Sequence, residues 1–170
     1  MPVRCPRTIV IRRATLAELK PITEIYNDAI LHTVATFDTK PKTIKEQKAW
    51  FAEHDAKHPL LVAKEDGLVV GWASLSRWSD RCAYSDTAEV SLYVKSECRE
   101  RGIGRKLLGA LVEEGEKAGL HTILARIAEG NEASLALFKS EGFETVGVMK
   151  EVGRKFGKLL DVHLLQKIYS

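Results

Sequence analysis

The chain has 170 residues, 45% of them hydrophobic and 29% charged, with a formal net charge of +3. That is length enough for one domain with a substantial core, in the composition range of soluble globular proteins. The small net charge without a concentrated basic stripe excludes a dedicated nucleic-acid binder, and no apolar run approaches the ~18 residues a membrane span requires.

Residues 9–12 (I-V-I-R) open the chain as a strand. Leu16, Leu19, Ile22, Ile25, Tyr26, Ala29 and Ile30 then recur at helical spacing, with Thr15 and Glu18 available as a capping box and Pro21 as an alternative first turn. A second helix is predicted over 43–55, opened by Thr43 and Glu46. Strands over 60–64 and 68–77 flank Glu65-Asp66-Gly67, a hairpin signal. Next come a strand over 87–94, a helix over 104–118, a short strand over 122–127 and a helix over 133–141 stopped by Gly142. Strands over 143–150 and 159–168 complete the order β-α-α-β-β-β-α-β-α-β-β. Adjacent strands in the front half favour antiparallel pairing, and the β-α-β unit in the back half implies a mixed sheet. No repeat or linker divides the chain, so residues 1–170 are expected to form one domain.

The most informative stretch lies between residues 87 and 108. Arg99-Glu100-Arg101-Gly102-Ile103-Gly104-Arg105 joins an alternating strand to a helix whose apolar residues are Ile103, Leu107, Leu108, Leu111 and Val112. Glycines allow backbone to approach an anion closely, a helix N-terminus offers unpaired N–H groups and positive dipole, and arginines add charge-assisted donors. Neither a Walker A nor a Rossmann fingerprint is present. From the loop alone, a basic turn capping a helix and an anion seat are equal readings. In the preceding strand, Ala88, Val90, Leu92 and Val94 alternate with Thr87, Glu89, Ser91 and Tyr93. Glu89 is an unfavourable strand residue. It is either a carboxylate on a wet sheet face or a general base that strips a proton from an amine.

The [Q/R]-x-x-G-x-[G/A] pattern of residues 99–104, together with Asn131-Glu132-Ala133-Ser134-Leu135-Ala136-Leu137-Phe138-Lys139-Ser140-Glu141-Gly142-Phe143, resembles the GNAT superfamily of acyl-CoA-dependent N-acetyltransferases. Ile25–Ile30, Phe37, Trp78, Arg81, Tyr84, Thr87–Glu89 and Val152–Gly157 are similar in particular to the phosphinothricin and methionine sulfoximine acetyltransferase family, a likeness covering about residues 8–168. The resemblance implies a mixed, mostly antiparallel α/β (α+β) sheet flanked by helices on both faces. It also implies acetyl-CoA as cosubstrate and a small amino-acid-like amine as acceptor. Glu89 would be the base. The loop Arg99–Arg105 would hold the pyrophosphate, and the backbone of Leu92, Tyr93 and Val94 the pantetheine arm, with one amide, Val94 N–H, polarising the thioester carbonyl. Asn131, Ser134, Phe138 and Ser140 would complete the cofactor side; Asn131 also suits a plain helix N-cap. Arg81, Tyr84 and Phe37 would hold the acceptor, the arginine through its carboxylate.

Phe138 departs from the pattern, where that family most often carries His. It cannot donate a proton to the departing thiolate, although a thiol of pKa ~8.5 leaves tolerably well unaided. The departure also weakens the case for phosphinothricin as substrate. Other acceptors of the same fold, a protein N-terminus, a lysine or an antibiotic amine, stay open, as does a non-catalytic CoA-binding module. Trp72 and Trp78 read as packing. The three cysteines, Cys5, Cys82 and Cys98, and the five histidines show no disulfide or metal-ligand spacing, so no metal is expected. The N-terminus lacks a signal-peptide core, so a cytoplasmic location is expected, and the family resemblance implies a homodimer.

Overall fold

A computed structural model describes residues 7–170, so Cys5 and the first six positions of the expected domain lie outside the described residues. The elements are β1 (Ile9–Arg13), α1 (Leu19–His32) after a 3-10 turn at Leu16–Glu18, α2 (Ile44–Ala52), β2 (Leu60–Glu65), β3 (Leu68–Arg77), β4 (Thr87–Val94), α3 (Ile103–Lys117), β5 (Thr122–Ala128), α4 (Glu132–Ser140), β6 (Glu144–Lys155) and β7 (Lys158–Ile168). This is the order read from the sequence. Local chemistry sets the boundaries. The Thr15 N–H donates to the Glu18 carboxylate at 2.9 Å, which caps the 3-10 turn before α1. At α2 the Glu46 N–H donates to Thr43 Oγ1 and the Thr43 N–H donates back to Glu46, the reciprocal capping box. Asp66 and Gly67 both take positive φ between β2 and β3, a two-residue turn whose twist suits a tight hairpin.

One seven-stranded sheet runs β1-β2-β3-β4-β5-β7-β6, antiparallel everywhere except between β4 and β5. On one face, α3 and α4 bury Ile103, Leu107, Leu108, Leu111, Leu135 and Phe138 against Ala88, Val90, Ile123 and Ala125. On the other, α1 and α2 cover Val62, Val69 and Trp72 with Ile22, Ile25, Trp50 and Phe51. The expected mixed sheet with helices on both faces is therefore found, and no described helix is long and apolar enough to cross a membrane.

The back of the sheet differs from the sequence reading in one respect. β6 does not stop at Lys150 but continues to Lys155 through a register shift between Met149 and Gly153, where Glu151 has φ 52°. An irregularity of this kind breaks the period of two that alternation relies on. The long hairpin that results brings Met149, Val152 and Gly153 beside the site.

Candidate active site

β4 pairs with β3 along its whole length, and β5 pairs with β7 as far as Ala128. Between them, however, β4 and β5 meet only at Thr87–Glu89 and Thr122–Leu124. Beyond Glu89 the two strands part and the sheet opens as a wedge. The Lys95 N–H bonds Val70 and the Trp78 N–H bonds Thr87 O, so the odd-numbered residues of β4 turn their peptide groups toward β3. The peptide groups of Leu92 and Val94 consequently face the gap. Tyr93 is a correction: its backbone, expected on the cofactor arm, belongs to the β3 ladder, and only its side chain reaches the cleft.

On the α3 side the gap widens into a cavity of about 610 Å³ lined by Leu92, Tyr93, Val94, Arg99, Glu100, Gly102, Ile103, Gly104, Arg105, Asn131 and Ser134, among others. Glu100 (φ 61°) and Gly102 (φ 79°) both sit in the left-handed region, and Gly102 is the N-cap of α3 with no side chain closing it. The first amides of α3 are thereby presented to the cavity, the arrangement that seats an anion. Gly104 has a packing reason as well, since a Cβ there would lie 3.3 Å from Leu137 of α4. Arg99 Nε donates to Val94 O at 3.4 Å, tying the loop to the strand end. Asn131 caps α4, its Oδ1 accepting from the Ser134 N–H, and it also borders the gap.

Two residues expected on the cofactor side do not border this cavity. Arg101 turns away from the cavity and forms a two-pronged ion pair with Glu65 at the β2–β3 turn. That bond holds the Glu65 carboxyl below its usual range and anchors the loop from behind. Ser140 spends its hydroxyl on Leu137 O at 2.6 Å within its own helix and does not border the cavity.

Toward the Glu89 end the same gap opens into a second cavity of about 640 Å³. Here Glu89 accepts from Arg126 through both oxygens, from Nε at 2.6 Å and Nη2 at 2.8 Å. The guanidinium lies 5.5 Å from the Trp78 ring centroid, so Trp78 is the floor of an ion pair rather than core packing. Phe37 borders this cavity, with Tyr26, Tyr93, Met149 and Val152. Phe138 is buried against Phe143 and touches the cavity from α4. Arg81 and Tyr84 do not line it: they sit exposed on the turn before β4, where nothing in the intervening sequence draws them inward.

The segment after α1 is held as a fixed wall. Lys155 Nζ, buried, donates to Thr36 O at 2.7 Å; burial lowers its pKa. Tyr26 hydrogen-bonds Thr36 and donates to Asp38, and its phenol is raised by burial and by that carboxylate. Tyr93, whose phenol burial pushes up to about 12, donates to Ala35 O. Among the described residues no group of three or more His, Cys, Asp or Glu could hold a metal.

Sequence reasoning missed Arg126, Met149, Val152 and the 33–38 wall apart from Phe37. For Arg126 a signal existed: it is a lone cation in the otherwise apolar strand I-L-A-R-I-A.

Residues 11–164 match the family described as an acetyltransferase (GNAT) domain. The chain is 40% identical over 158 residues, 92% of each chain, to L-methionine sulfoximine/L-methionine sulfone acetyltransferase of Pseudomonas aeruginosa. It superposes with TM-score 0.92, at 35% identity over 96% of this chain and 89% of the other, on a GNAT superfamily phosphinothricin acetyltransferase of Sinorhizobium meliloti in complex with AcCoA. A ribosomal-protein-alanine N-acetyltransferase from Brucella melitensis is also similar, with TM-score 0.91 and 40% identity over 94% of this chain and 99% of that one.

Proposed function

The chain belongs to the GNAT family of acetyltransferases and is an acetyl-CoA-dependent N-acetyltransferase; from that premise we propose that its acceptor is the amino group of a small L-amino acid or analogue, of the methionine sulfoximine and phosphinothricin type, attacked directly with Glu89 as general base. The observation that carries this reading is the wedge between β4 and β5. It joins a cavity with an anion seat to a cavity with a paired carboxylate, and Glu89 is the last residue of β4 to pair across it.

The residues present fit acetyl-CoA. The outward peptide groups of Leu92 and Val94 can take an extended amide-bearing arm as an added strand, and the amides at Gly102–Gly104 with Arg99 and Arg105 suit a pyrophosphate. The thioester supplies an activated acyl carbon. The remaining work falls to the chain: the gap-facing Leu92 N–H, nearer to Glu89 along β4 than the Val94 amide expected from the resemblance, is the preplaced donor for the developing oxyanion, and Glu89 accepts the amine proton. Arg126 occupies one lone pair on each Glu89 oxygen, which orients the carboxylate and leaves further lone pairs for that proton. Phe138 donates nothing, so the thiolate departs without a side-chain acid. Residues 1–170 act as one acyltransferase domain in this reading.

The test is CoA release from acetyl-CoA with free L-amino acids, methionine sulfoximine, methionine sulfone and phosphinothricin, beside N-terminal alanine peptides. Turnover on the small amino acids is expected. Turnover on the peptides alone would move the function to the activity named for the Brucella relative.

We also read the protein as a cytoplasmic homodimer. The edge strand β6 exposes Val146, Val148 and Val152, and Phe156 in the β6–β7 turn and Leu159 at the start of β7 are exposed beside them; exposed apolar residues grouped at a sheet edge suit association with a second copy. Sedimentation is expected to give twice the 19.0 kDa chain mass; a concentration-independent monomer would sink this part.

A further inference from the structure

We propose that Arg126 is the receptor for the acceptor's α-carboxylate and thereby selects α-amino acids over amines that lack one. The proposal rests on the reading of the 640 Å³ cavity as the acceptor site. Among the described residues lining that cavity, Arg126 is the sole cation, facing the anions Asp38 and Glu89. Arg81, to which the sequence reading gave this task, is exposed outside it.

The guanidinium geometry leaves room for a second carboxylate. Glu89 takes the side edge, Nε and Nη2. A guanidinium has a second two-pronged edge, Nη1 with the other Nη2 hydrogen. No described residue accepts from Nη1, the side chain is 53% exposed, and it lines the cavity. Trp78 fixes the plane from below, and the residue stands on a strand paired to β7 opposite Leu164, so the fork is held by the sheet and not by a loop.

Charge matching then specifies the ligand. An α-amino acid carries its ammonium and carboxylate on one carbon. The cavity presents Glu89 and Arg126 in direct contact, the same two charges with opposite signs. A carboxylate seated on the free edge of Arg126 brings the neighbouring ammonium to Glu89, the group proposed to take its proton. An amine without the carboxylate has the base but no register.

The experiment compares L-methionine sulfone with its decarboxylated counterpart, 3-(methylsulfonyl)propylamine, as acceptors for wild type, Arg126→Ala and Arg126→Lys. The readout is the ratio of kcat/KM for acid over amine. In Arg126→Ala the ratio is expected to fall about 10- to 150-fold, the worth of hydrogen bonds between charged groups. In Arg126→Lys, which keeps charge but loses the fork, it falls less. The KM for acetyl-CoA reports folding in each variant. Equal losses on both acceptors would reduce Arg126 to a support for Glu89 and overturn the proposal. A wild type that turns over neither acceptor would overturn the acceptor-site reading itself, and this assignment with it.

Discussion

Replacing Glu89 with glutamine is expected to lower kcat at neutral pH by about 10²- to 10⁴-fold, the usual contribution of a positioned base, while the KM for acetyl-CoA barely moves. An ammonium has no lone pair with which to attack, so a proton must leave before or during acyl transfer. Glu89 stands where β4 and β5 part, gripped by Arg126 through both oxygens. Glutamine keeps the shape and removes the basicity. It also turns an amide N–H toward a guanidinium donor, so some loosening of the pair is expected too. The pH profile separates these two effects. Above the amine's own pKa, solvent supplies the neutral amine and the deficit of a missing base should narrow; a merely disordered cavity would keep the same deficit at every pH. A Glu89→Gln enzyme with wild-type turnover at neutral pH would remove the base assignment.

Most of the fold was legible because its signals are local. The caps at Thr15 and Thr43, the Asp66-Gly67 turn, the alternation of β4 and the apolar face of α3 each depend on residues a few positions apart. The start of α3 was legible for the same reason: Gly102 takes the left-handed conformation of its N-cap, which follows from local sterics. What failed was non-local. Arg101 looked like a phosphate ligand until the fold brought Glu65, 36 positions away, beneath it. Arg126 had no visible role because its partner is 37 positions distant and on another strand, in a register no periodicity reveals. Tyr93 was misassigned because alternation sorts side chains between faces but does not say which neighbour the peptide groups address. That was fixed only by the bonds at Lys95 and Trp78.

Gly153→Ala is expected to lower kcat/KM for the acceptor on the order of 100-fold, the scale of an ångström-level displacement of a site wall, and to cost about 1–3 kcal/mol of stability from overpacking. A Cβ at Gly153 would stand 2.1 Å from Phe37 Cε2, 2.6 Å from Cδ2 and 2.8 Å from Cζ. The glycine of β6 is thus a notch that the Phe37 ring fills. The ring cannot simply ride outward with its backbone. Lys155, two residues along the same strand, holds Thr36 O at 2.7 Å, and Tyr26 binds both Thr36 and Asp38 on the far side. Displacing the ring therefore means either a strained rotamer projecting into the cavity or the loss of a buried lysine's hydrogen bond, and each deforms the wall opposite Glu89. The KM for acetyl-CoA should hold, because Phe37, the ring in the notch, borders the 640 Å³ cavity and not the 610 Å³ one. Pairing the change with Phe37→Ala supplies the decisive comparison. If the clash is the cause, the double variant is no worse than Phe37→Ala alone, a strongly non-additive cycle. Additive losses, or a Gly153→Ala enzyme with an unchanged acceptor KM, would mean that β6 does not shape the acceptor site, and the identity of the acceptor would then have to be sought in the Glu89 and Arg126 end of the cavity alone.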